Sequence, residues 1–369
     1  MRSSISVRIL VCGFIVALCV CLWPFRGLAA TFKDWEVECD NINGCSALGF
    51  SSDDADVTGY IRIDRLAGPA NAANIRIVLQ HFDEKLSVTD AQLTIDGKPV
   101  SGINPARKAA TNDDEVTSFQ IAAEEAKPFI AGLRNGRALQ LTTIDGKMKA
   151  VISLNGAVAA LLKIDDVQGR VDTETALIRA GAKPASSVPS PPALPVVVAA
   201  KPPSNLQADP TLAKKLRKVL LKQGKGAECD DLTENRLTED DTVDGLSPSL
   251  ALVGISCMRG AYQESTQFWI VENGNFLQAS PVAFKEPGRS VKDPSTANEL
   301  TMASFDKETG SIGFFAKGRG LGDCGAAGIY VWTGKSFELS EYSALEKCQG
   351  VPPDSWPVLW RSLRKQADQ

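Results

Sequence analysis

The residues with the most chemical potential crowd into one stretch, 317–348, which reads KGRGLGDCGAAGIYVWTGKSFELSEYSALEKC. Inside it, Gly320-Leu321-Gly322-Asp323-Cys324-Gly325 spells GxGxxG. That pattern holds a dinucleotide pyrophosphate only where a strand precedes it and a helix opens after it. Here residues 328–332, Gly-Ile-Tyr-Val-Trp, read as another strand, and a cysteine sits within the turn. The expected object is a glycine-rich loop whose backbone angles a disulfide holds in place. Arg319 and Asp323 form a polar pair on that loop, with Lys317 beside them. Rigidly held loops are where binding function concentrates, so Arg319 and Asp323 are candidate ligand contacts. Tyr262 and Trp332 join them as aromatic candidates, since sugars stack on such rings. A β core needs large aromatics too, and core is the leading role for the set Tyr262, Trp269, Tyr330, Trp332, Trp356 and Trp360.

Other chemistries find little support. Asp165-Asp166 and Glu124-Glu125 are adjacent pairs, and neighbours on a helix diverge, so neither pair flanks one glycosidic bond. Asp240-Asp241-Thr242-Val243-Asp244-Gly245 begins like a calcium loop, but Ala251 occupies the place of the closing glutamate, and a solvated turn is expected. The single histidine, His81, has no nucleophile motif near it. No CxxC occurs and the cysteine spacings match no zinc pattern. Neither a catalytic residue, a cofactor nor a metal ligand is nominated.

The elements that would position these residues follow from compartment and punctuation. Arg2 and Arg8, an apolar run over 9–23 and Gly27-Leu28-Ala29-Ala30 form a secretory signal over residues 1–30. The run is shorter than the roughly 20 residues that a membrane-spanning helix needs. Residues 1–30 hold three arginines and no acid, so without them the net charge falls from −4 to −7. A mildly acidic product argues against nucleic acid and anionic membrane as partners. Cys12, Cys19 and Cys21 leave with the signal, and six of the nine cysteines remain. They fall into neighbour pairs, Cys39 with Cys45, Cys229 with Cys257 and Cys324 with Cys348. The long gap from Cys45 to Cys229 disfavours cross-pairing, and three local disulfides are expected.

Residues 31–182 read as a first domain. Strands are expected at 59–66, 75–82, 91–95, 118–122, 138–143 and 148–154, after an aromatic opening strand around Trp35. Thr-Ile-Asp-Gly-Lys occurs at 94–98 and again at 143–147, each with the Asp-Gly signal of a hairpin. Helices are expected at 128–135 and 157–167, with a further one capped by Asp172 or Thr173 and ending at Gly181. Residues 183–210 carry eight prolines in 28 positions and read as a tether reaching roughly 85 Å when extended. Residues 211–365 form a second domain, opening with a helix over 212–221. Strands follow at 249–258, 266–272, 276–283, 299–306, 310–316, 328–333 and 336–340. Turns at Asn273-Gly274, 307–310 and 333–335 make them an antiparallel meander. The class is α+β: an antiparallel β domain closed by helices, a proline-rich linker, then a mainly β domain.

FKDWEVECDN with Cys45, Gly68-Pro69-Ala70, IDDVQGR, Cys257 with Gly260-Ala261-Tyr262, KGRGLGDCG and WPVLWR together resemble an exported proteobacterial family called domain of unknown function 1176. Gln263 stands where that family usually has asparagine. The opening Trp-x-x-x-Cys also faintly resembles the invasion-associated locus B family. Neither resemblance supplies an activity or a ligand. The leading expectation is therefore a periplasmic or secreted protein of a Gram-negative envelope that binds cell-wall glycan, another envelope protein or an inhibitor target. Two alternatives stay open: a hydrolase of envelope polymer using an acid such as Asp323, and an uncleaved inner-membrane tether.

Each disulfide is expected to contribute about 2–4 kcal/mol, with the short Cys39–Cys45 loop at the low end. Treatment with dithiothreitol is therefore expected to lower the melting temperature by several degrees in calorimetry; an unchanged value would remove the disulfide assignment.

Overall fold

A computed structural model describes residues 29–51, 58–80, 89–112, 116–146, 149–203, 206, 208–224, 229–233, 238–272, 275–287 and 297–367. The signal segment apart from Ala29 and Ala30, its three cysteines, His81 and the Asn273-Gly274 turn lie outside these residues. The regular structure of the described chain is mostly antiparallel β-sheet, with few helices.

In the N-terminal half, a seven-stranded sheet runs in the order Ala29–Phe32, Trp35–Cys39, Cys45–Phe50, Gly59–Arg65, Asn74–Gln80, Val116–Ile121 and Thr111–Asn112. Strand alternation sends Trp35, Val37 and Cys39 to one face and Glu36 and Glu38 to the other. The first face shares a core with a four-stranded sheet ordered Lys149–Ser153, Ala138–Thr143, Asp90–Ile95 and Ala106–Lys108. Helices Ala126–Asn135 and Ala157–Val167 join that core through Phe129, Leu133, Leu161 and Ile164.

The repeated pentapeptide folds in two ways. At 143–147 it leads into the hairpin that pairs Ala138–Thr143 with Lys149–Ser153. At 94–98 it closes only a bridge between Ile95 and Lys98, because the edges of Asp90–Ile95 are taken by other strands.

The helix expected from Asp172 to Gly181 does not form. Residues 172–183 fold back on themselves, with Asp172 N–H donating to Arg179 O and Gly181 N–H to Thr173 O. Asp165 is fully buried and accepts the N–H groups of Leu177 and Ile178 at 2.9 Å each, so these donors are unavailable to a helix. The same network uses Gln168 Nε2, which donates to Asn43 O and Arg65 O, and Arg170, which donates to Gly68 O and Asn71 O.

The proline-rich stretch is not a free spacer. Val188 is buried, and Val196–Ala199 pairs in parallel with Leu363–Gln366. Ala200 N–H donates to Trp332 O at 2.8 Å. Val197 and Ala199 bury against Val331, and this apolar contact holds down a segment whose proline content alone favours free extension.

In the C-terminal half, one sheet holds Thr242–Ser247, Leu250–Arg259, Glu264–Glu272 and Asn275–Pro281, with Glu299–Thr301 also on Glu264–Glu272. The other runs Ser304–Asp306, Ser311–Lys317, Gly325–Trp332, Phe337–Leu345 and Val358–Arg361. They share a core containing Leu252, Phe268, Phe314, Tyr330 and Trp332. The single strand expected over 299–306 is thus two strands in different sheets. Met302, at φ 44°, turns the chain between them. Helix Leu212–Lys222 covers the outer face of the first of these sheets, beside the Cys229–Cys257 disulfide.

The two halves pack directly on each other. Leu48, Phe50, Tyr60 and Val78 from the outer face of the seven-stranded sheet meet Leu345, Val351 and Trp356. Arg361 donates to the buried Asp40 carboxylate at 2.5 Å, and Arg62 donates to Ser355 O. Trp356 is buried and its indole N–H donates to Val351 O. Trp356→Ala is expected to destabilise the protein by about 3–5 kcal/mol in denaturant titration; a loss below about 1 kcal/mol would show that the halves do not rely on this contact.

Candidate functional site

The glycine loop connects Ser311–Lys317 to Gly325–Trp332, which pair with Lys317 opposite Gly325. The chain crosses itself tightly here. Gly318 N–H donates to Cys324 O, and a Cβ on Gly325, at φ 136°, would lie 2.0 Å from Ala316 O. Only glycine fits that approach. The strand that follows removes the dinucleotide context, as the residue pattern implies.

Arg319 grips Asp323 with two hydrogen bonds, Nε to Oδ1 at 2.7 Å and Nη2 to Oδ2 at 2.5 Å. Gly350 N–H also donates to Asp323 Oδ2 at 2.7 Å. The Arg319 hydrogen bonds hold the Asp323 carboxyl below the usual carboxylate range, against the effect of its burial. A general acid needs the opposite, a raised pKa and access to substrate. Asp323 instead ties the glycine loop to the 346–356 segment, in parallel with the Cys324–Cys348 disulfide. Asp323, Cys324 and Cys348 bring ligand-type atoms within 4.8 Å of one another. The two sulfurs are bonded to each other, however, and a metal binds thiolate rather than disulfide sulfur.

Tyr262 sits in the turn between Leu250–Arg259 and Glu264–Glu272, closed by Gly260 N–H donating to Gln263 O. Gln263 Oε1 accepts Lys317 N–H at 3.0 Å, locking this turn to the base of the glycine loop. The Tyr262 ring faces Gly320, so the two loops form one surface. Tyr262 is 47% exposed and Leu321, at the loop tip, 73%. Trp332 does not belong to this surface. It is 2% exposed and packs against Phe337 at 5.3 Å between ring centroids, a core residue rather than a ligand contact. Trp269, Tyr330 and Trp356 are likewise buried, and Tyr262 is the exposed member of the set.

Two further acids singled out by the residue pattern are engaged inside the fold. The Asp241 side chain is buried and holds Arg217 by two hydrogen bonds of 2.6 and 2.8 Å, so at this position the expected solvated turn gives way to an internal ion pair. Glu125 pairs with Arg107 at 2.7 Å. Cysteines join as Cys39–Cys45, Cys229–Cys257 and Cys324–Cys348.

Two features escaped the residue pattern. A cavity of about 790 Å³ opens between Pro195–Val198, the 280–287 segment and the 335–339 hairpin end, with Ile270 and Trp360 in its lining. Glu36 and Glu38 face the junction of the two halves, where Lys347 Nζ comes within 3.9 Å of Glu36. Burial pushes the Glu38 carboxyl up to about 8, helped by the charges of Glu36 and Glu346. Strand alternation had placed both glutamates on one face; their burial depends on a surface more than 300 residues away in sequence.

The family model described as a protein of unknown function (DUF1176) matches residues 29–362. The chain belongs to this family. It is 33% identical over 345 residues to the uncharacterized protein YpfG of Escherichia coli (strain K12), covering 89% of this chain and 91% of that relative. No solved structure gives a significant match. The family motifs now have positions: IDDVQGR and Gly68-Pro69-Ala70 meet in the Asp165 network, KGRGLGDCG forms the pinned loop, and WPVLWR supplies Trp356 and Arg361 at the junction.

The raised Glu38 makes stability depend on pH. An unfolded glutamate releases its proton near 4.5, whereas the folded protein keeps it to about 8. The folded state therefore binds more protons in that window, and stability falls as pH rises through it. Melting temperatures between pH 5 and 9 are expected to decline, and Glu38→Gln to flatten the decline and raise the value at pH 8. An identical profile in the variant would show that Glu38 does not titrate in this way.

Proposed function

We propose that this protein is a periplasmic or secreted, non-enzymatic binding or accessory component of a Gram-negative envelope, built from two β-rich domains. Its contact surface is the joined pair of loops carrying Tyr262, Arg319 and Leu321. The observation that carries this reading is the use of the acids at the glycine loop and beyond it. Asp323, Asp165, Asp241 and Glu125 each hold an arginine or backbone donors inside the fold, so none of them is poised for general acid or base work. What the paired loops offer outward is a half-exposed aromatic ring, Tyr262, and an exposed leucine, Leu321, features that make contacts rather than reactions. Three disulfides suit an oxidising compartment. Among the described residues no helix is long and apolar enough to cross a membrane. The ligand classes this surface suits are cell-wall glycan, through stacking on Tyr262, and another envelope protein.

The test is a pull-down from solubilised cell envelope, alongside purified peptidoglycan, with the protein as bait. The wild type is expected to retain a specific partner or the glycan, and a Tyr262→Ser, Leu321→Ser variant with unchanged melting temperature to lose at least tenfold of it. Background-level capture by the wild type, or release of product from a glycoside or peptide panel, would overturn the reading.

A further inference from the structure

Among the described residues the strand Val196–Ala199 has one partner, Leu363–Gln366, in a two-stranded parallel sheet. Leu363 N–H donates to Pro195 O and Ala367 N–H to Ala199 O, two ends of one ladder. In a strand the backbone groups of successive residues point to alternate edges, so Pro195, Val197 and Ala199 face Leu363–Gln366. Val196 and Val198 therefore turn their N–H and C=O groups to the opposite edge. On that edge Ala200 N–H is taken by Trp332 O, which pins the strand to the end of the neighbouring hairpin. Beyond this point the strand and the hairpin are separated by the cavity of about 790 Å³ that Pro195–Val198 line. Among the described residues no strand pairs with the cavity-facing edge.

The side chains around it match the backbone. Val196 and Val198 are 51% and 46% exposed, and the floor is the half-buried Ile270, Leu339 and Trp360. Parallel strands are ordinarily covered on both faces, and a bare two-stranded parallel ribbon with an open valine row is an uncommon arrangement for a protein surface.

We infer that this groove receives an extended segment of another polypeptide, added as a strand along Val196–Val198, with apolar side chains at alternate positions resting on Ile270 and Trp360. The backbone edge decides between occupants. An acyl chain filling the same space would strip water from the N–H and C=O groups of Val196 and Val198 and return no hydrogen bonds, leaving each group desolvated and unpaired. An extended peptide pairs them as it covers them. The rim carries Lys285 and Lys335 against Glu286 and Glu338, so no excess charge selects an anionic polymer. The site is separate from the Tyr262 loop surface, and its test does not depend on that surface.

The probe is a pool of fluorescein-labelled octapeptides with Val, Leu or Phe at odd positions and Thr or Ser at even ones, titrated against the full chain by anisotropy. Saturable binding is expected, weakened at least tenfold when alternate peptide nitrogens are methylated, since two hydrogen bonds are lost. Val198→Pro deletes a donor aimed at the groove without touching the Leu363–Gln366 ladder. It is expected to weaken binding several-fold at unchanged melting temperature, whereas Tyr262→Ser leaves binding unaltered. If Val198→Pro does not fold, the methylated pool still decides, because the change is then on the ligand. The proposal is overturned if no peptide in the pool binds, if methylation has no effect, or if a dodecyl probe binds and peptide does not displace it. It is equally overturned if sedimentation shows a dimer that Val198→Pro dissociates, for the occupant would then be a second copy of the chain.

Discussion

The apolar outer face of the seven-stranded sheet has to be covered, and the rest of the molecule is arranged around that need. Leu48, Phe50, Tyr60 and Val78 cannot remain in water as a contiguous patch. The segment between Cys348 and Val358 covers them, led by Trp356. That same segment is tied back to the glycine loop by the Cys324–Cys348 disulfide and by Gly350 N–H on Asp323. Docking of the two halves and rigidity of the loop are therefore one event. The raised Glu38 is a by-product: Glu38 shares the strand with Trp35 and points toward the docked surface, beside Glu36 and Lys347.

The polar residues of the family motifs resolve into long-range internal contacts. Gln168 and Arg170, at the end of one helix, hold the carbonyls of Asn43, Arg65 and Gly68. Outside those motifs, Arg217 likewise reaches Asp241 and the carbonyl of Asp231. Arg361 reaches Asp40 across 321 positions. Gln168, Arg170, Arg217 and Asp40 are charged or amide groups placed inside and provided with partners, which is the condition under which burial of such groups is tolerated. The two surfaces proposed here for contact, the paired loops at Tyr262 and Leu321 and the edge at Val196 and Val198, lie apart from these internal networks.

Much of the local structure was legible in the residues. The helices Ala157–Val167 and Leu212–Lys222 follow their apolar spacing, and the strands around the glycine loop follow their turns. The failures share one cause. Residues 172–181 have helix-like caps, yet the buried Asp165 carboxylate, twelve and thirteen residues before Leu177 and Ile178, takes the amides that a helix would use. The proline-rich stretch has the composition of a tether, yet Val197 and Ala199 find an apolar seat on Val331. Trp332 has the composition of a sugar platform, yet alternation along its strand turns it into the core while Tyr262, in a turn, stays out.

The sequence by itself determined what depends on neighbours within a few positions or on bulk composition. Those are the alternation of strands, the glycine and aspartate turns, the neighbouring cysteine pairs and the membership of a family without a known activity. Only the tertiary structure decided which faces are covered and which charges are paired. Those outcomes hang on contacts such as Asp40 with Arg361 or Ala200 with Trp332, between segments that carry no mark of each other. Burial is a property of two surfaces at once, and a chain read one stretch at a time shows only one of them.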